Sequence, residues 1–337
     1  MMREDPQQDT HPQAGASRRQ LLAAATLAPV LGGALSACAP AGTSKQHNHA
    51  SVMPVRTSLT EWKDVAVALG RTGDIRREFM YHTGLPRRDL KVVSQGVTVK
   101  PGLALGSHVS FVRYADGNTL LMGDVVVTEK EMQSFTDVLH ERKIEQTAIH
   151  KHLLSQTPEI WWVHVHAHGK DPVAIAKGLR AALDRTGAPP PGRPAHTVPR
   201  KLDLDTAAID KVMGVKGGID DGIYKNTFVR RETITDNGMV LPPGLGSTSA
   251  INYQPLGDGR AAVSGDCAMI ASEVQDVLHA LRKAGCQLVE LHNHGLVDEP
   301  RLFFVHFWAV GDALKLAKGI RTALDATNVK GLAVEIG

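Results

Sequence analysis

The feature that most constrains this chain is that it is written twice. Slid against itself by 142 positions, it comes into register without a gap. Pro101-Gly102-Leu103 falls on Pro243-Gly244-Leu245, Asp116-Gly117 on Asp258-Gly259, and Gly123-Asp124 on Gly265-Asp266. The register continues through Glu131/Glu273, Gln133/Gln275, His150/His292, His152/His294, Pro158/Pro300, His164/His306 and Gly169/Gly311. After one deletion, Ala176-Lys177-Gly178 meets Ala317-Lys318-Gly319. A length of 337 residues suits two domains at about 150 residues each. The expected division is a signal segment at 1–37, a flexible tether at 38–56, a first repeat at 57–186, a Pro-rich linker at 187–200 and a second repeat at 201–337. The linker, beginning Gly187-Ala188-Pro189-Pro190-Pro191-Gly192, suits neither a helix interior nor a central strand.

Within each copy the residue pattern predicts an α+β unit. Residues 119–128, with counterparts 261–270, read as a strand feeding a helix, and Thr128-Glu129-Lys130-Glu131 has the form of a capping box. The helix then places Met132, Phe135 and Leu139 on one face, matched by Val274, Val277 and Leu281, at the spacing of a buried stripe. Two short strands, 147–153 and 160–168, joined by a turn over 154–159, suggest a hairpin. A last helix opens at Asp171-Pro172 and stops at Gly187. Upstream, Ser58-Leu59-Thr60-Glu61 caps a short helix. Strands, helix, hairpin and helix, twice over, make two tandem homologous α+β repeats.

The first forty residues read as an address. Ser17-Arg18-Arg19-Gln20-Leu21-Leu22 precedes an uncharged apolar stretch that ends at Ala37, short for a membrane span. Arg18-Arg19 before such a segment resembles a twin-arginine export signal. Leu35-Ser36-Ala37-Cys38 resembles a lipoprotein box, in which the cysteine receives lipid and becomes the mature N-terminus. The expectation is an extracytoplasmic protein, in the periplasm or at the cell surface, whose membrane partner is reached through the lipid on Cys38. Over the whole chain 42% apolar and 22% charged residues match ordinary globular composition. A net charge of +3 with no basic run in the body argues against nucleic acid as a partner. Cys267 and Cys286 are expected as buried thiols, with a disulfide formed after export the alternative.

Sixteen histidines are the compositional oddity. Residues two apart in a strand share a face, so His150 and His152 point together. In the next strand Trp162, His164, His166 and His168 share one side, and Trp161, Val163, Val165 and Ala167 the other, which is the helix-packing side. A register placing His150 opposite His164 gathers His150, His152 and His164 in the first copy, and His292, His294 and His306 in the second. Three imidazoles so placed suit a transition metal such as zinc or copper. Asp124 and Asp266, each beside a glycine that interrupts an apolar strand, are candidate additional ligands or acid/base groups, as are Glu131 and Glu273; the capping box also accounts for Glu131. Three function classes stay open: a binding module for a metal or small molecule, a metal-dependent hydrolase with a three-histidine site, and a structural envelope scaffold whose histidines are merely buried. His166 and His168 stand where the second copy has Trp308 and Val310, so the two copies need not be equivalent.

These residues resemble the LppY/LpqO family of bacterial lipoproteins. Its recurring domain of unknown function carries a similar His-x-His, then Pro, Phe-x-His-Phe-Trp, and Gly-Asp-Ala with a Leu-Ala-x-Gly-Leu/Ile-Arg helix. The second copy matches through His292-Asn293-His294, Pro300, Phe304-Val305-His306-Phe307-Trp308 and Gly311-Asp312-Ala313, and the first departs at Trp161-Trp162-Val163-His164-Val165-His166. The resemblance spans residues 57–337 in two passes. It implies the tandem architecture and the lipoprotein assignment and brings no established activity.

Overall fold

A computed structural model describes residues 51–189 and 202–334. Arg18, Arg19 and Cys38 lie outside the described residues. In the first repeat the strands β1 (Asp74–Arg76), β2 (Met80–Pro86), β3 (Gly106–Arg113), β4 (Thr119–Thr128), β5 (Glu145–His150) and β6 (Ile160–Gly169) form one antiparallel sheet in the order β1-β2-β3-β4-β6-β5. The second repeat supplies β7 (Gly218–Asp220), β8 (Ile223–Arg230), β9 (Thr248–Gly257), β10 (Arg260–Met269), β11 (Gln287–His292) and β12 (Phe303–Asp312), in the same spatial order, with Val329–Leu332 added beside β8.

Seven α-helices occur among the described residues: α1 (Lys63–Leu69), α2 (Pro101–Ala104), α3 (Glu129–Glu141), α4 (Pro172–Leu183), α5 (Thr206–Met213), α6 (Val274–Lys283) and α7 (Ala313–Asp325). Their starts follow from local chemistry. Glu131 Oε2 accepts the Thr128 N–H at 2.7 Å at the head of α3, and the Asp171 carboxylate accepts from Val173 and Ala174 at the head of α4. Helix α4 ends at Leu183, short of Gly187, because the chain turns back there and the Gly187 N–H donates to Glu131 Oε1 at 2.7 Å.

Packing divides each sheet as strand alternation requires. In β6, Val163, Val165 and Ala167 face α1, α3 and α4, joining Trp62, Phe135 and Leu179 in one core. In β12, Val305, Phe307 and Ala309 join Ile209, Leu281 and Ile320 in the equivalent core. The opposite faces of the two sheets meet. Met122, Val112 and Leu120 pack with Leu245, Leu302 and Phe304, and Trp162 and Val126 pack with Trp308 and Ala262. The result is four layers, helices outside two face-to-face sheets, and the inner layers bury the histidine face of each repeat.

The hairpin differs from its expected register. His150 stands opposite Trp162, and His164 opposite Ala148, two residues from the expected pairing, and a bulge between Gln146 and Ala148 shifts the register by one more residue farther along β5. The second repeat has the same bulge between Leu288 and Glu290. The expected turn over 154–159 also contains a short strand, Gln156–Thr157, paired with Val92–Ser94; Asp298–Glu299 pairs likewise with Thr235–Asp236. Cys267 and Cys286 are free, buried thiols, and burial pushes Cys286 up to about 12.

Candidate metal centre between the repeats

Six histidines converge where the inner sheet faces touch. His150 and His292, equivalent in the repeat, stack with ring centroids 4.0 Å apart. The other contacts are paired by an approximate two-fold: His150–His164 at 4.7 Å against His292–His306 at 4.8 Å, and His152–His306 at 3.8 Å against His294–His164 at 4.1 Å. The aromatic walls repeat too, with His152 stacked on Trp162 and His294 on Phe304. The two three-histidine groups expected within the separate copies are therefore one cluster, formed across the repeat interface.

The cluster is poorly satisfied by the protein itself. His150 Nε2 lies 2.9 Å from His152 Nε2. His150 Nδ1, His164 Nε2 and both ring nitrogens of His292 and of His306 are buried without a hydrogen-bond partner among the described residues. Unpaired buried polar atoms are costly, and six of them in one place need an explanation. His150, His152 and His306 bring one nitrogen each within 4.8 Å of one another, as do His150, His164 and His292. A metal held at about 2.0–2.1 Å by three imidazoles needs those nitrogens about 3.4 Å apart, so modest ring movement suffices. His150 and His306 are buried, while His152, His164, His292 and His294 are half-buried and open the cluster toward the surface.

Electrostatics favours the ligating form of imidazole. Burial, aided by the neighbouring rings, holds His150, His294 and His306 well below the usual range and lowers His292 to about 3. Burial also lowers His164 to about 4, against the opposing attraction of Asp124. These five are neutral at neutral pH, as metal ligation requires.

Of the four candidate carboxylates, the structure brings two to this face. Asp124 sits opposite His164 in the β4–β6 pairing and its Oδ2 is 3.2 Å from His152 Nε2. Burial opposes its ionisation, but His164 and His152 outweigh that and hold it well below the ordinary carboxylate range. Asp266 sits opposite His306. Burial raises it to about 7, even though the Ala250 N–H donates to its Oδ1 at 2.9 Å. Asp124 thus gains most from His164 and His152, with a smaller contribution from His108 beside it on β3, where β9 places Ala250 beside Asp266.

Glu131 and Glu273 lie elsewhere. Glu131 takes both ends of the buried Arg87 guanidinium at 2.8 and 3.0 Å. Glu273 pairs with the buried Arg230 and accepts the Ile270 N–H at 2.9 Å. The backbone half of a capping contact thus survives at Ile270, which has no capping side chain. Both glutamates anchor the heads of helices and touch no histidine of the cluster.

His166 and His168 turn away from the six toward a residue that sequence reasoning missed. Asp236, from the second repeat, lies 2.8 Å from His166 Nε2 and 3.0 Å from His168 Nε2. At the 142-residue shift Asp236 falls on Ser94, in a stretch where the copies share little besides Gly96/Gly238, so no repeat signal singles it out.

A family model described as Domain of Unknown Function (DUF1259) matches residues 63–185 and 207–326. No curated protein matches the chain. Among solved structures, the trimeric bacterial microcompartment shell protein PduB is similar at 12% identity, over 73% of this chain and 86% of that one, with a TM-score of 0.18. EtuB from Clostridium kluyveri is similar at 11% identity, over 75% and 91%, with a TM-score of 0.17. Likeness at those TM-scores carries no argument about fold or function. The family match does, because it takes in most of the chain in two successive copies, and the chain belongs to the family described as Domain of Unknown Function (DUF1259).

Proposed function

We propose that this protein is an exported, lipid-anchored protein of the cell envelope that binds a transition-metal ion, zinc or copper by the chemistry of its donors, in one centre shared by its two repeats. The observation that carries the reading is the convergence of six mostly neutral histidines with six orphaned ring nitrogens. A purely structural cluster would pair those nitrogens with backbone or side-chain groups. Export and anchoring rest on Arg18-Arg19 and on Leu35-Ser36-Ala37-Cys38, and the resemblance of residues 57–337 to the LppY/LpqO lipoproteins agrees with them.

The test is elemental analysis of untagged protein from cells. Stoichiometric zinc or copper, lost in a His292→Ala/His294→Ala variant that keeps its circular dichroism, is the expected result. Folded protein that carries no metal and takes up neither ion at neutral pH overturns the reading. For the anchor, Cys38→Ala is expected to release the protein from membranes.

A hydrolytic reading rests on Asp124 alone, the one candidate carboxylate both held ionised and in contact with a cluster histidine. Asp124→Asn separates the two functions. Retained metal with loss of a measurable ester- or phosphoester-cleaving activity supports hydrolysis, and the absence of such activity in the metal-loaded parent leaves binding as the function.

A further inference from the structure

We propose that His166, His168 and Asp236 form a second metal site, independent of the six-histidine cluster, which takes a divalent first-row transition-metal ion and ties the first repeat to the second. Three observations carry this. The first is geometric. His166 and His168 sit two apart on β6 and share a face, and Asp236 Oδ2 meets their Nε2 atoms at 2.8 and 3.0 Å. An ion at about 2.0–2.1 Å from each ligand requires donor separations of about 3.4 Å, so the trio needs to open by only a few tenths of an ångström. Asp236 and His166 are buried, and the His168 side chain is 24% exposed, which supplies a way in.

The second observation is a set of buried polar atoms left without partners. A carboxylate only accepts, and the single oxygen Asp236 Oδ2 faces both Nε2 atoms. Among the described residues neither Nδ1 has a hydrogen-bond partner, nor has Asp236 Oδ1. The nearest charged group to His166 Nδ1 is another acceptor, Glu145 Oε2, at 3.7 Å. Ligation changes which ring nitrogen carries a hydrogen. Each Nε2 gives its lone pair to the ion, its hydrogen exchanges through solvent to Nδ1, and His166 Nδ1–H then donates to Glu145, the outer carboxylate contact common for metal-bound histidine.

The third is an internal control supplied by the repeat. At the 142-residue shift, His166, His168 and Asp236 correspond to Trp308, Val310 and Ser94, and the short-strand pairings Asp236↔Asp298 and Ser94↔Gln156 hold the same register. All three donor residues thus meet at one of the two repeat-related positions of the interface and are all replaced at the other. There Trp308 fills the space and is fully buried. The scaffold does not require a polar trio at this position. Two histidines and one carboxylate suit iron(II), manganese(II) or zinc(II), with coordination positions left open.

The test uses zinc(II) with the full-length mature chain. Anomalous difference maps from zinc-soaked crystals are expected to show a peak bonded to His166 Nε2, His168 Nε2 and Asp236. In solution Asp236→Asn is expected to lower zinc stoichiometry by about one ion per chain with unchanged circular dichroism. If that variant does not fold, His168→Gln, at the more exposed ligand, is read in the same way. A peak at this trio with none among the six histidines supports the site while rejecting the shared centre proposed above. Peaks confined to the six-histidine cluster, or unchanged stoichiometry in the folded variants, overturn it.

Discussion

Glu131 and Glu273 are the residues whose chemistry is most easily misjudged from the sequence. Each is an acid near a histidine-rich strand in the chain, and each is instead the counter-charge of a guanidinium with 1% or less of its side chain exposed. Removing one partner of such a pair strands a buried charge. Asp89 and Glu232 remain beside the two arginines, so the cost falls at the lower end of the usual range. Glu131→Gln and Glu273→Gln are each expected to destabilise the fold by about 3 kcal/mol, read from urea midpoints, while leaving metal content unchanged. Loss of metal without loss of stability would return them to the site. The histidines set the pH response. Their pKa is near 6.5 in the unfolded chain and falls to about 4 for His164 and about 3 for His292 in the fold. The unfolded state therefore binds more protons across that window. Stability of the metal-free protein is expected to be full above about pH 6.5 and to drain as pH falls through about 4, with a urea midpoint that is flat from pH 8 to 4 as the contrary result.

At the scale of elements, the strand holding each central aspartate shows how closely the backbone is packed. A Cβ on Gly123 would lie 2.6 Å from the His108 carbonyl oxygen, and one on Gly265 would lie 2.7 Å from that of Ala250. Backbone atoms of a paired strand cannot step aside as a flexible side-chain end can. Gly123→Ala and Gly265→Ala are expected to destabilise by about 1–3 kcal/mol, seen as a lower thermal midpoint, and a neutral result would mean that the sheet yields locally. Strand parity made the division of faces legible: Trp162, His164 and His166 turn inward while Val163 and Val165 turn to the helices, as alternation demands. Thr128 and Asp171 likewise announced their helices. The hairpin register was not legible, because the connection between β5 and β6 gives two of its residues, Gln156 and Thr157, to a pairing with Val93 and Ser94 outside the hairpin, and the bulges at Gln146/Ala148 and Leu288/Glu290 have no distinctive residue to mark them. The register moved by two residues, an even number, so the histidines kept their face although their partners changed. Periodicity tells which side of a strand a histidine occupies and not what that side will meet. The meeting of His150 with His292, and the arrival of Asp236 from the other repeat, therefore became visible only in three dimensions.

At the scale of the whole molecule, the two repeats are packed as a symmetric dimer would be, with the same face of each unit turned inward. Separating them would expose Met122, Val126 and Trp162 on one half and Phe304 and Trp308 on the other, all now buried. It would also divide the histidine sets, because both candidate sets draw from the two repeats: His306 completes one and His292 the other. Residues 57–186 produced alone are expected to self-associate through the bared apolar face and to bind zinc more weakly than the parent. Mixing them with residues 201–337 is expected to restore a one-to-one complex and the metal uptake. The restored complex should need higher protein concentrations than the intact chain, because the linker holds the halves at an effective concentration that free fragments lack. Size-exclusion chromatography and zinc titration of each fragment and of the mixture decide the matter. A first repeat that is monomeric, soluble and as tight a zinc binder as the whole chain would place a complete site inside one unit and reject the shared centre, since His292 and His306 would then contribute nothing to the ion.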